Sequence, residues 1–233
     1  MSQRMLARLR KDFRRLADPT RAPDMQRYMK SSMKYYGIAA PALRKICRES
    51  FADASFEDAE TWRSCVLHIF RNARFREEWY AAVELSLWKK AKDFQTLEAL
   101  PMYEEMIVTA AWWDIVDTLA AHGVGELLRK YPKPMAARMR TWSRSDNLWK
   151  RRTAILCQLS FKKDTDLALL YSCIEPSLNS KEFFLRKAIG WALRQYAWTN
   201  PAEVQRYVQE NRATLSPLSK REALKNIQDR SIG

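Results

Sequence analysis

The chain has 233 residues, with 41 lysines and arginines against 27 aspartates and glutamates, so its formal net charge is +14 at pH 7. Hydrophobic residues make up 47% of the sequence, which excludes a disordered basic tail and supplies a folded core. The positive charge favours a polyanionic partner, most simply nucleic acid, although it also fits a merely soluble basic protein. A membrane surface is disfavoured because no long apolar segment or lipidation motif is present.

Cysteines and histidines are few and scattered. The cysteines stand singly, at Cys47, Cys65, Cys157 and Cys173. Without Cys-x-x-Cys spacing they are predicted to be buried free thiols in a reducing compartment, and no metal site is expected. Residues 1–17 are basic and amphipathic but contain no uninterrupted apolar run, so we expect no signal peptide. A cytoplasmic protein associated with the nucleoid through DNA is predicted.

Helix-period patterns run along the chain and are separated by turn-forming pairs. These pairs are Asp18-Pro19, Ala40-Pro41, Tyr131-Pro132 and Asn200-Pro201. No segment shows the sustained alternation of a strand. The sequence therefore predicts an essentially all-α protein.

Residues 112–117, Trp-Trp-Asp-Ile-Val-Asp, combine two indoles with a carboxylate. On a helix, Trp112 joins the apolar stripe, whereas Trp113 and Asp117, four residues apart, share a flank outside it. Core packing accounts for Trp112 but not for Trp113 beside an acid. In a strongly basic protein, this pairing suggests a site for a cationic or electron-poor centre on a polyanion.

Similar residue pairs recur at intervals of 36, 36, 34 and 35 residues. They are Ala82-Val83, Thr118-Leu119, Ala154-Ile155, Ala188-Ile189 and Ala223-Leu224. The interval accommodates two antiparallel helices with their turns, the unit of an α-solenoid, although alanine-rich helices also produce such a pattern by chance. We predict one curved domain over residues 1–233, with a concave basic groove where equivalent helices lie side by side.

Several segments resemble the motifs of the DNA alkylation repair glycosylases built from HEAT-like repeats, the AlkD-like group. The segments are Arg27–Lys30, Met106–Asp117, Ser145–Leu156, Ser180–Tyr196 and Leu215–Lys225. The resemblance covers nearly the whole chain. It implies an α-solenoid of HEAT-like helix pairs that removes cationic alkylated purines, such as 3-methyladenine and 7-methylguanine, from double-stranded DNA. It also implies that the base is not drawn into a pocket; we expect a monomer without a cofactor.

The same resemblance assigns roles to individual residues. Trp113 and Trp191 correspond to an aromatic pair around the sugar, and Asp117 to the catalytic acid. The expected DNA contacts are Arg152, Tyr28, Arg44, Lys187, Arg194, Lys220 and Arg221. Ala40 stands where the family often has a threonine and Ser160 where a lysine is common, so two local backbone contacts are in doubt.

The chemistry requires few groups. Cleavage of an N-glycosidic bond develops positive charge on the sugar. A cationic purine leaves without protonation, so an ionised Asp117 suffices to stabilise the sugar cation and to orient water. Arg152 should favour that ionised form, and the indole faces of Trp113 and Trp191 attract the cation. No lysine is placed as an amine nucleophile, so hydrolysis without strand cleavage is expected.

Two other functions remain open: a non-catalytic binder of branched or distorted DNA, and a scaffold for protein partners. In those readings Trp191 is ordinary interhelical packing and Asp117 is a surface acid paired with Arg152. Trp149 has no reactive neighbour and is predicted to be core, and Asp146 is predicted to cap a helix. The presence of Trp113, Asp117 and Trp191 together favours the enzyme.

Overall fold

The computed structural model describes residues 1–228, which fall into two compact units, Met1–Met102 and a second from Tyr103 onward. Within the described residues the secondary structure consists of α-helices and short 3-10 or π turns, apart from one isolated bridge between Lys34 and Phe75. The all-α prediction is confirmed. The single domain over residues 1–233 reaches beyond the described residues, and that domain and its concave groove stay predictions.

Five helices form the first unit. They are α1 (Ser2–Arg15), α2 (Ala22–Tyr28), α3 (Ala40–Phe51), α4 (Ala59–Arg71) and α5 (Arg76–Ser86). Helix α1 buries Leu9 and Phe13 completely and packs on α3 and α4. The fully buried carboxylate of Glu77 accepts the backbone amides of residues 36–38, so it secures the loop that leads into α3.

Nine further α-helices follow within the described residues. They are α6 (Leu100–Ala110), α7 (Trp113–Leu119), α8 (Gly125–Lys130), α9 (Pro132–Trp142), α10 (Leu148–Leu156), α11 (Leu167–Ile174), α12 (Phe183–Tyr196), α13 (Pro201–Glu210) and α14 (Pro217–Gln228). A π turn, Ala120–Val124, joins α7 to α8. Each proline of the predicted turn pairs lies between helices or in the first turn of one, because its ring fixes φ and lacks an amide hydrogen.

The recurring residue pairs lie in α5, α7, α10, α12 and α14, the second helix of each successive pair. In the second unit α7 packs on α10, α10 on α12, and α12 on α14. Ala154 of α10, Ala188 of α12 and Ala223 of α14 are buried, and small buried side chains let neighbouring helices approach. The interval therefore reflects structure, and the prediction that equivalent helices lie side by side is confirmed within this unit.

The contact between α12 and α14 is especially close at Gly190. A Cβ at this position would lie 2.5 Å from the Cβ of Glu222 and 2.9 Å from the carbonyl oxygen of Ser219. The Ser219 hydroxyl donates to the carbonyl of Arg186 at 2.9 Å and adds a hydrogen bond across the same contact. Glycine at residue 190 thus lets α14 bring Glu222 directly against α12.

One predicted helix cap is wrong. The side chain of Asn147, not Asp146, accepts the amides of Trp149 and Lys150 at 3.0 and 3.1 Å and begins α10. The sequence offered two neighbouring residues of capping type, and the extended backbone at Asn147 selects the second. This cap fixes the start of the helix that carries Arg152.

The prediction that the cysteines are buried free thiols is confirmed, since all four are free and buried. Burial raises the pKa of Cys47, Cys65, Cys157 and Cys173, which keeps them protonated and unreactive. Within residues 1–228, no helix is both long and apolar enough to cross a bilayer. The same residues contain no group of three or more histidine, cysteine or acidic side chains placed to hold a metal ion.

Candidate functional site

The segment that carries both indoles begins with a sharp turn. Ala111 has φ +45°, in the left-handed region, and its amide donates to the Ile107 carbonyl at 3.1 Å to end α6. Trp112 is extended and precedes the first residue of α7, Trp113. The prediction that Trp112 lies on the helical stripe is therefore wrong, whereas the buried stripe of α7 itself is confirmed.

Trp112 instead forms an aromatic cluster with Trp149 of α10 and Phe184 of α12. The ring centroids are 6.1 Å apart for Trp112 and Trp149, 5.2 Å for Trp112 and Phe184, and 5.1 Å for Trp149 and Phe184. Such tilted and edge-on contacts are favourable for aromatic rings. Trp149 is 7% exposed, so its assignment to the core is confirmed. The cluster ties together the three helices that carry the predicted site.

Asp117 and Arg152 form a bidentate ion pair. The Nε of Arg152 donates to Oδ1 of Asp117 at 2.7 Å, and Nη2 donates to Oδ2 at 2.8 Å. The Arg152 side chain is 5% exposed and that of Asp117 is 12% exposed. This geometry suits a planar guanidinium and an ionised carboxylate. It aligns the acid and leaves a small part of it open to solvent.

The third nitrogen of the guanidinium, Nη1 of Arg152, donates to the backbone carbonyl of Phe184. The guanidinium also lies 5.8 Å from the Phe184 ring centroid. All three nitrogens are thus engaged within the protein. The DNA contact expected of Arg152 stays a prediction, and in this structure its guanidinium holds Asp117 and the start of α12.

Two opposing effects act on the pKa of Asp117. Burial raises this pKa above the ordinary value of an aspartate and outweighs the hydrogen bonds and charge of Arg152, which lower it. Asp114 raises it slightly further by like-charge repulsion. The expectation that Arg152 favours the ionised form is right in sign, but burial determines the net direction.

Trp113 and Trp191 are both partly exposed. Trp113 is the first residue of α7, one turn before Asp117, while Trp191 lies two turns after Phe184 on α12 and packs partly on the hydrophobic core of the second unit. Within the described residues, neither indole hydrogen-bonds to Asp117. The two indoles belong to α7 and α12, and both helices pack on α10.

Lys187 and Arg194 are brought together by an acid that the sequence interpretation did not identify. Nζ of Lys187 lies 3.0 Å from Oε1 of Glu222, and Nη1 of Arg194 lies 2.7 Å from Oε2. Both predicted phosphate contacts are therefore already paired. A usable signal was the spacing, because Asp117 to Arg152 and Lys187 to Glu222 each span 35 residues, about one repeat.

The other predicted DNA contacts differ in exposure. Tyr28, at the end of α2, is 75% exposed, and Arg44 of α3 is exposed in the same unit. On α14, Arg221 is exposed, while Lys220 donates to the carbonyl of Arg212 at 3.0 Å. These side chains lie at the surface of their own unit.

Comparisons with known proteins agree with this architecture. Residues 9–227 match the family model described as DNA alkylation repair enzyme. A solved structure described as a predicted DNA alkylation repair enzyme from Enterococcus faecalis is similar to this chain, with a TM-score of 0.81 and 30% sequence identity. That similarity covers 90% of this chain and 95% of the other. No curated protein matches the sequence.

Proposed function

The chain belongs to the DNA alkylation repair enzyme family, and on that premise we propose that it is a monofunctional DNA glycosylase. Its substrates are cationic alkylated purines, 3-methyladenine and 7-methylguanine, in double-stranded DNA. The observation that carries the proposal is the paired, partly open carboxylate of Asp117 on a helix that begins with Trp113. The positive charge of the protein suits DNA as substrate, and the aligned carboxylate of Asp117 suits a reaction in which positive charge develops on the deoxyribose.

In the proposed reaction Asp117 acts as the catalytic residue. Its carboxylate faces the deoxyribose, stabilises the cation that develops as the C1′–N bond breaks, and orients a water molecule toward C1′. The alkylated base departs as a neutral purine, so no general acid is required. The water adds to C1′ and loses its proton, which leaves an abasic sugar.

Arg152 is a positioning residue in this account. Its two hydrogen bonds fix the orientation of Asp117 and require the ionised carboxylate as acceptor. Because the pair is largely buried, the carboxylate is screened less by water than a surface acid would be.

Trp113 and Trp191 supply aromatic faces to the same cation. The DNA backbone contacts that we propose are Tyr28, Arg44, Lys187, Arg194, Lys220 and Arg221, while Arg152 holds Asp117. We also propose that the alkylated base is not drawn into a pocket of the protein and that the protein is a monomer.

A non-catalytic binder of distorted DNA is the alternative. One observation favours it: Arg152 occupies both oxygens of Asp117, so the acid serves a structural purpose even without substrate. In that case excision would be absent and duplex binding would persist.

The test is base release from methylated duplex DNA, with chromatographic identification of the freed base. We expect 3-methyladenine or 7-methylguanine to be released, and strand breaks to form only after alkaline treatment of the product. Strand cleavage by the protein alone would contradict a monofunctional enzyme. Salt-sensitive duplex binding without release of any base would establish the alternative.

A further inference from the structure

One face of α12 carries Lys187, Trp191 and Arg194. The spacings of four and three residues place them in one row along the helix. Glu222 of α14 binds the cations on both sides of the indole, with one carboxylate oxygen engaged by each. A single carboxylate thus forms ion pairs with two cations that flank Trp191, a proposed catalytic residue.

The position of Glu222 is built into the helix contact. Gly190 lets α14 approach until the Cβ of Glu222 rests against the α12 backbone. The Glu222 side chain is 16% exposed, whereas those of Lys187 and Arg194 are 39% and 25% exposed. The acid therefore lies beneath the two cations, which face solvent more than it does.

The carboxylate also keeps its charge. The hydrogen bond from Lys187 lowers the pKa of Glu222 most, burial opposes it, and the charges of Lys187, Arg194 and Lys225 lower it further. An ionised Glu222 leaves this group of three side chains with one net positive charge. Two unpaired cations would instead neutralise two phosphates.

We propose that Glu222 is a specificity-determining residue that serves as a built-in counterion for Lys187 and Arg194 and limits the affinity of the protein for undamaged duplex DNA. The inference rests on the proposed function, because it takes DNA as the ligand of this face. Non-specific binding to DNA comes mainly from phosphate neutralisation and counterion release. A fixed carboxylate that cancels one cation removes one such contact, while Trp191 stays available to the damaged nucleotide.

The experiment measures the affinity for an undamaged duplex as a function of salt, in wild type and Glu222→Gln. We expect the variant to bind on the order of tenfold more tightly at about 50 mM salt, with a slope of log K against log salt steeper by about 0.9. Over a fourfold rise in salt, this adds about a threefold extra loss of affinity.

Glu182→Gln is the matched control, since it makes the same charge change at the exposed start of α12. We expect no steeper slope for this variant. The gain from Glu222→Gln should also vanish when Lys187 and Arg194 are both replaced by methionine. The proposal is overturned if Glu222→Gln behaves as Glu182→Gln does, or if its slope steepens equally without the two cations.

Glu222→Ala provides a second variant, because it keeps the Cβ that packs on Gly190 while it removes the carboxylate. It should show the same steeper slope. Duplex affinity and base release are separate measurements. Loss of base release with the Glu222 effect intact would reject the glycosylase alone, whereas an unchanged slope with active excision would reject this inference alone.

Discussion

At the scale of single residues, Asp117 combines burial with a bidentate arginine partner. The proposed reaction needs its carboxylate, so excision should decrease as the pH falls through its pKa. Burial raises this pKa, and the decrease should therefore occur at a higher pH than for an exposed aspartate, whose pKa is about 3.9. Single-turnover rates across the acid range, with uncatalysed release subtracted, test this expectation.

Asp114→Asn is the control for this pH profile. Asp114 raises the pKa of Asp117 through its charge, so its removal should move the acid limb to lower pH. Two results would contradict the electrostatic account of Asp117. One is a wild-type rate that falls only at the pH expected for an exposed aspartate, and the other is a shift of this fall to higher pH in Asp114→Asn.

Ala111 holds a left-handed backbone at the turn into α7. This conformation costs an L-residue roughly 1–2 kcal/mol, and glycine adopts it freely. Ala111→Gly should therefore raise the free energy of unfolding by about 1 kcal/mol in urea denaturation. Ala110→Gly, at the last residue of α6, should lower it, since glycine weakens a helix and the buried methyl group of Ala110 is lost. Equal losses in both variants would show that the turn is not strained.

At the scale of elements, the contact between α12 and α14 depends on Gly190. A helix interior favours alanine over glycine by about 1 kcal/mol, so a site with space would be stabilised by Gly190→Ala. We expect the opposite sign, a loss of about 1–3 kcal/mol, because the new Cβ meets the α14 backbone and Glu222. Urea denaturation measures the free energy of unfolding, and a Gly190→Ala protein more stable than wild type would refute the close approach of α14 to α12.

Elements were predictable where local chemistry marks them. Proline-containing turns located helix boundaries, and the recurring residue pairs indicated the two-helix interval that the structure shows. Trp112 was misplaced because its departure from the helix is caused by Ala111, and alanine carries no signal for a left-handed turn. Asn147 was missed for a related reason, since neighbouring residues share capping chemistry.

The candidate site was predictable in part. The pairing of Asp117 with Arg152 followed from the repeat, because their helices are adjacent. Glu222 was not recognised, because the 35-residue spacing from Lys187 indicates that the two helices are neighbours but not which side chain of α14 faces α12. That choice depends on helix rotation and on the approach allowed by Gly190, which are properties of packing.

At the scale of the whole molecule, a chain with net charge +14 belongs to a family of DNA alkylation repair enzymes, and the described part of its second unit stacks four equivalent helices in succession. The stack places residues from different repeats side by side, so a carboxylate on one helix meets a guanidinium on the next. In the proposed function, positive charge binds the protein to DNA phosphates, and the carboxylate of Asp117 stabilises the sugar cation.

The most direct test of the central claim is the single-turnover rate of 7-methylguanine release from a defined duplex by Asp117→Asn at neutral pH. Loss of the charge should slow release by about 10²–10³-fold, with affinity for undamaged duplex equal or higher because a negative charge is removed. Asp114→Asn, which removes a charge one turn earlier, should retain activity, and thermal melting checks that each variant is folded. An Asp117→Asn protein that excises as fast as wild type would contradict the assignment of Asp117 as the catalytic residue.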